Sequence, residues 1–164
     1  WQLVSYGVDG FAYATETTVG SWLGRGDRVR ARASGIAALI WGVGVGVLFA
    51  VAYFFAAERI AAFFTHDRDV IAIVTSLSWA VALSQPVNAM AYVFDGILIG
   101  ATDTRYLRNA MLFSTAMFTA AVIIGWLGAG LSLQLIWSAL LLFMAMRALT
   151  LGIRFRTDAW SDWL

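Results

Sequence analysis

Two carboxylates, Asp9 and Glu16, stand seven residues apart in the otherwise apolar and small-residue stretch "VDGFAYATETTVGSWLG" (8–24). On a helix that spacing turns about 700°, so both lie on one face, about 10.5 Å apart along the axis. Tyr13 falls between them, and Ser5 and Gly20 extend the stripe. The segment "QPVNAMAYVFDG" (85–96) repeats the arrangement with Asn88, Tyr92 and Asp95, continued by Ser84 and flanked by Gln85. Polar groups on one face of an apolar helix can bind a proton or cation, or they can tie helices together by hydrogen bonds. The neutral residues Tyr13, Gln85, Asn88 and Tyr92 suit the second role well. The three acids point to the first, because a neutral residue would meet a structural need at lower desolvation cost. A carboxyl buried without a cation favours its neutral form and can exchange a proton. Asp9, Glu16 and Asp95 are therefore the candidates for proton coupling or for lining a cavity. In this reading no arginine lies deep within a predicted span to neutralise them, and Asp95 is also placed to hold the loop around Asp103 and Arg105.

The elements that must carry these stripes follow from composition. The 164 residues are 61% hydrophobic and 13% charged, against roughly 45–50% and 25% in soluble domains. The net charge of +1 gives no reason to expect nucleic acid, and the lack of cysteine excludes disulfides and thiolate chemistry. Residues 33–57, 70–94 and 109–146 carry no charge, and the last run is interrupted by "GWLGAG" (125–130). A spanning helix needs about 20 apolar residues. These runs predict an all-α, polytopic transmembrane helix bundle with five spans at 1–23, 33–57, 70–100, 106–126 and 131–152. They are too long for barrel strands. The chain opens on Trp1 inside an apolar stretch, which predicts a natural start further upstream.

Every basic residue is arginine, and their placement orients the bundle. Arg25, Arg28, Arg30 and Arg32 are assigned to the first loop, Arg105 and Arg108 to the third, and Arg147, Arg154 and Arg156 to the C-terminal end. Only Arg59 and Arg68 fall on the opposite side, so the arginine-rich side and the C-terminus are predicted to be cytoplasmic. Trp22, Trp126, Trp160 and Trp163 fall near span ends, where an aromatic belt would sit. The segment "ERIAAFFTHDRD" (58–69) reads as an outer loop with a short interfacial turn, and His66 as a solvated loop residue. Pro86, the sole proline, predicts a kink in the third span. Gly42, Gly44 and Gly46, and separately Gly20 and Gly24, read as close-packing faces. "GRGD" (24–27) matches the GxGD of intramembrane aspartyl proteases, but that chemistry needs a second facing aspartate, and Asp27 sits among arginines. No metal set, cofactor motif or enzymatic nucleophile emerges.

Two passages, "DGFAYATETTVGSWLGRGD" (9–27) and "QPVNAMAYVFDGILIGATDTRYLRNAM" (85–111), resemble the multidrug and toxic compound extrusion (MATE) family, within it the DNA-damage-inducible protein F branch. The likeness keeps the same order along nearly the whole chain. It implies twelve helices in two six-helix lobes, with this chain supplying the eighth to twelfth and the N-terminal lobe lying outside it. It also implies export of small amphipathic or cationic substrates across the bacterial cytoplasmic membrane in exchange for protons or sodium ions. Asp9, Glu16 and Asp95 match acids of this branch. Asn88 stands where other branches hold an aspartate, which puts a sodium site in this lobe in doubt. The alternative is a membrane scaffold or partner-binding subunit that does not transport.

Overall fold

The computed structural model describes residues 2–157 and 159–161, with the side chains of 2–5 and of Ala129 excepted. Trp1, Trp163 and the Ser5 side chain thus lie outside the described residues. Five α-helices follow one another: α1 (Gln2–Gly24), α2 (Arg28–Phe64), α3 (Arg68–Gly100), α4 (Thr104–Ala129) and α5 (Leu133–Arg156), with a 3₁₀ turn at Ala159–Ser161. Helices α2 to α5 are each long and apolar enough to cross a membrane. Helix α1 has 23 residues but carries Asp9, Glu16 and three threonines. It runs alongside α3 in the same bundle.

The largest departure from the sequence reading is α2, which has 37 residues and not the 25 of its uncharged run. Arg28, Arg30 and Arg32 lie on its first turns, and residues 58–64 continue the helix where an outer loop was expected. Hydropathy marks where a helix leaves hydrocarbon, whereas its hydrogen-bond ladder continues until something caps it. At about 1.5 Å per residue α2 is about 55 Å long, well beyond an apolar core of about 30 Å. Only 65–67 separate it from α3, where the Asp67 carboxylate accepts from the backbone N–H groups of Asp69 at 2.9 Å and Val70 at 3.4 Å. The break between α4 and α5 is confined to 130–132. Gly130 (φ +82°) ends α4, and the Ser132 hydroxyl accepts from the backbone N–H of Leu135 at 3.2 Å. Helix α3 stays helical through Pro86.

Two turns at the arginine-rich end share one construction. After α1, the N–H of Gly26 donates to the carbonyl of Leu23 (2.8 Å), and that of Asp27 to Trp22 (3.0 Å). Gly26 takes the left-handed conformation such a cap demands (φ +74°). Asp27 then caps α2, accepting from the Arg30 N–H at 2.9 Å. "GRGD" is thus a helix-to-helix turn. After α3, Thr102 donates to Ile99 and Asp103 to Leu98, both at 2.9 Å, but the left-handed position belongs to Thr102 (φ +58°). A β-branched residue there is strained by about 1–3 kcal/mol.

Helix α3 is the hub of the bundle. Its buried residues include Ser84, Gln85, Asn88, Ala89, Ala91, Val93 and the run from Phe94 to Leu98. It runs antiparallel to α2, where Gly35 faces Ile97, Gly42 faces Val93, and Gly46 faces Pro86 and Ala89. It runs parallel to α1, where Gly96 lies against Ala12 and Gly100 against Glu16 and Gly20. Gly44 and Gly24 face open space, so the expected small-residue faces narrow to Gly42 with Gly46, and to Gly20. The G-x-x-x-G of α3, "GILIG" (96–100), makes a closer contact than any of these. Beyond α5 the chain folds back. Trp160 is 1% exposed, stacks on Phe155 at 5.3 Å and donates its indole N–H to the Phe155 carbonyl at 3.1 Å. It belongs to the core and not to an aromatic belt.

A methyl group at Gly96 would overlap the carbonyl of Ala12, whereas one at Gly44 would meet nothing. Gly96→Ala is expected to destabilise the detergent-solubilised protein by about 1–3 kcal/mol, and Gly44→Ala to leave it unchanged. Thermal melting followed by size-exclusion fluorescence measures both.

Candidate functional site

The buried polar groups of α3 lie in the bundle interior, as the spacing predicts. Ser84 donates to the carbonyl of Val81 at 2.8 Å, and the Gln85 amide donates to the same carbonyl at 2.8 Å and to the Ser84 hydroxyl at 3.4 Å. These bonds are local to one turn of α3. Asn88 is buried one turn on, and Tyr92 is half-buried.

Asp95 behaves differently from the expectation. It is paired with Arg147 of α5, whose guanidinium Nη2 donates to the Asp95 Oδ2. The sequence groups Arg147 with the C-terminal end, yet it lies nine residues inside α5 with only 14% of its side chain exposed. The expectation that no arginine lies deep in a span is therefore corrected. A cue was present in the sequence. Arg147 falls inside the predicted 131–152 span and is the sole charge between Asn109 and Ile153. Nor does Asp95 hold the 103–105 loop, because Asp103 has its own partner: Arg154 donates from Nε to Oδ2 at 2.7 Å. That commitment explains why Asp103, at the N-cap position of α4, makes no capping bond with its side chain. Arg154 also lies over the ring of Tyr106 at 5.0 Å, and the Tyr106 hydroxyl donates to the Thr150 carbonyl at 2.9 Å. Acids eight apart on α3 and its turn thus meet arginines seven apart on α5, which runs parallel to it.

The α1 stripe is placed at an edge of the bundle. The buried row of α1 is Val8, Thr15, Val19 and Leu23. At about 100° per residue, the row of Asp9, Tyr13 and Glu16 lies about a quarter turn away. Asp9 and Glu16 are half-buried beside the contact with α3, whereas Tyr13 is 70% exposed and projects from the packed face. Asp9 is near enough to Asp95 for their charges to interact. The structure thus joins Asp95 to Arg147, with Asp9 on the neighbouring edge of α1, and leaves Tyr13 out of the bundle interior. Two atoms of that group, Asp95 Oδ1 and Arg147 Nε, are buried with no hydrogen-bond partner among the described residues. A carboxylate whose second oxygen is an open acceptor can take a proton or a small cation. Among the described residues no cluster of three His, Cys, Asp or Glu side chains is placed to hold a metal ion.

The MatE family model matches residues 1–127, more than half of the chain. The chain belongs to the MatE family. It is 35% identical to DNA damage-inducible protein F of Escherichia coli (strain K12), a match covering 93% of this chain and 32% of that protein. It is 32% identical to protein DETOXIFICATION 44, chloroplastic, of Arabidopsis thaliana, covering 98% of this chain and 31% of that protein. Human multidrug and toxin extrusion protein 1 is 32% identical over 58% of this chain and 17% of its own length. No solved structure matches. This MatE chain spans about a third of the length of the first two relatives, and the family placement agrees with the multi-pass helical bundle.

Breaking a buried ion pair by removing one partner leaves an uncompensated charge and costs about 3–5 kcal/mol. Arg147→Gln is expected to destabilise the MatE bundle by that order. The double substitution Asp95→Leu with Arg147→Met should recover most of the loss, as chemical denaturation in detergent would report.

Proposed function

We propose that this chain is part of the C-terminal lobe of a secondary active transporter. The full-length protein exports small amphipathic or cationic compounds in exchange for protons or sodium ions, with two lobes rocking about a cavity between them. Family membership and the multidrug-extrusion relative support the transport reading. The observation that carries the coupling reading is Asp95, held by Arg147 through one oxygen, open at the other and close to Asp9. A proton or cation arriving at this group weakens the grip of Arg147 on α3. By linkage, a movement of α5 away from α3 then changes the affinity for that cation. Glu16, one α1 turn beyond the Gly96 contact, lies at the same helix edge and can feel the same movement.

The neutral variants Asp9→Asn and Glu16→Gln should insert normally, because they remove a desolvation cost. In proteoliposomes of the full-length protein they are expected to lower gradient-driven efflux of a fluorescent lipophilic cation roughly tenfold. Wild-type efflux by the combined Asp9→Asn, Glu16→Gln and Asp95→Asn variant, from mildly acid to mildly alkaline pH, would make the acids structural and the coupling assignment wrong.

We infer from the arginine bias that the α1–α2 turn and the end of α5 face the bacterial cytoplasm. A cysteine at Gly128, at the exposed end of α4, should react with an impermeant thiol reagent in whole cells, and one at Arg28 only after lysis. The opposite pattern reverses the orientation.

A further inference from the structure

The turns after α1 and after α3 match position for position and differ in where one carboxylate goes. Gly24, Gly26 and Asp27 of the first correspond to Gly100, Thr102 and Asp103 of the second. The residue before the aspartate is left-handed in both, at φ +74° for Gly26 and +58° for Thr102. In both, the N–H of the aspartate donates to the carbonyl five residues back, Trp22 for Asp27 (3.0 Å) and Leu98 for Asp103 (2.9 Å). The two aspartates also have similar backbones, with φ −94° and ψ 80° at Asp27 and φ −80° and ψ 47° at Asp103.

The Asp27 carboxylate accepts from the N–H of Arg30, three residues on, at 2.9 Å. The matching donor after Asp103 is the N–H of Tyr106. It belongs to the first turn of α4, before the ladder begins with Leu107 donating to the Asp103 carbonyl at 3.2 Å. The Asp103 side chain makes no capping bond and turns to Arg154 Nε of α5, at 2.7 Å. What depends on this choice is α4, which packs on α5 and touches α3 only lightly. At the arginine-rich end its hold on α5 consists of that ion pair, of Arg154 over the Tyr106 ring, and of the Tyr106 hydroxyl on the Thr150 carbonyl.

We propose that Asp103 is a latch with two positions. Closed on Arg154, it docks the start of α4 on α5. Open, it accepts from the Tyr106 N–H, caps α4 and frees that end of the helix to swing away from α5. The open position is the bonding that Asp27 and Arg30 show in the turn after α1. The latch uses neither Asp9 nor the Asp95–Arg147 pair, so it stands whether or not the coupling assignment does.

The test is residue-resolved amide hydrogen exchange at Tyr106 in the full-length protein in nanodiscs. Arg154→Gln opens the latch, so the Tyr106 amide is expected to exchange about tenfold more slowly, the protection that one side-chain cap confers. Asp103→Asn can cap but cannot form the ion pair, and should slow the same amide. Asp103→Ala can do neither and should not. Spin labels on Arg108→Cys and Arg156→Cys, both exposed positions, should move apart in Arg154→Gln and in Asp103→Asn. Asp103→Asn keeps the size of the native side chain, so it carries the test if Arg154→Gln does not fold. Unchanged or faster exchange at Tyr106 in these two variants would mean that the pair has a single position, and would overturn the proposal. Slower exchange in Asp103→Ala, or slower exchange with an unchanged label separation, would overturn it as well.

Discussion

The backbone of α3 approaches that of α1 so closely that the bundle has no room for a side chain at Gly96, and at Gly100 an added Cβ would lie 2.5 Å from the Glu16 carbonyl oxygen. Lipid tails are as apolar as leucine, so helices in a bilayer gain little by hiding apolar surface from one another. What holds them is dense packing and polar contact. Glycines supply the first on two sides of α3, its own Gly96 and Gly100 against α1, and Gly35, Gly42 and Gly46 of α2. The Asp95–Arg147 and Asp103–Arg154 pairs supply the second, on the side facing α5. The remaining positions of the bundle are arranged around that central helix.

The two ion pairs differ in what they can do. Asp103 sits in a turn whose left-handed position is filled by Thr102, where the equivalent turn after α1 uses Gly26. The Arg154 pair, the stacked Tyr106 and its bond to Thr150 fix that turn against α5. This is a brace at the end of the helices. The Asp95–Arg147 pair lies deeper and is incompletely satisfied, with one buried atom on each partner lacking a hydrogen bond. In a low-dielectric setting such a pair is sensitive to any added charge. The pair links α3 to α5, and Asp9 stands on the neighbouring edge of α1.

The polar residues of α3 divide along the same line. Ser84 and Gln85 bond within their own turn, next to Pro86, whose missing N–H leaves that stretch short of one ladder bond. Those bonds steady α3 at its proline. Asp95, ten residues on from Gln85, instead pairs with Arg147 of α5.

The sequence by itself determined the helical class, the number of helices and the family, because charge-free runs of spanning length admit few alternatives in a bilayer. It also marked the residues of α3 that would be buried, since seven-residue spacing fixes a helix face whatever packs against it. It could not determine which arginine belongs to which acid. Arg147 reads as one more charge at a helix end until α5 is laid parallel to α3, and then it meets Asp95 fifty-two residues away. The same holds for Trp160, drawn into the core by the turn after α5, and for Tyr13, which shares the stripe of Asp9 and Glu16 but points out of the bundle. The reach of α2 was hidden for another reason: hydropathy records where the chain leaves the apolar core, and a hydrogen-bond ladder does not stop at that boundary. Partners, rotation about the axis and helix length beyond the membrane are properties of how helices pack, and only the tertiary structure decides them.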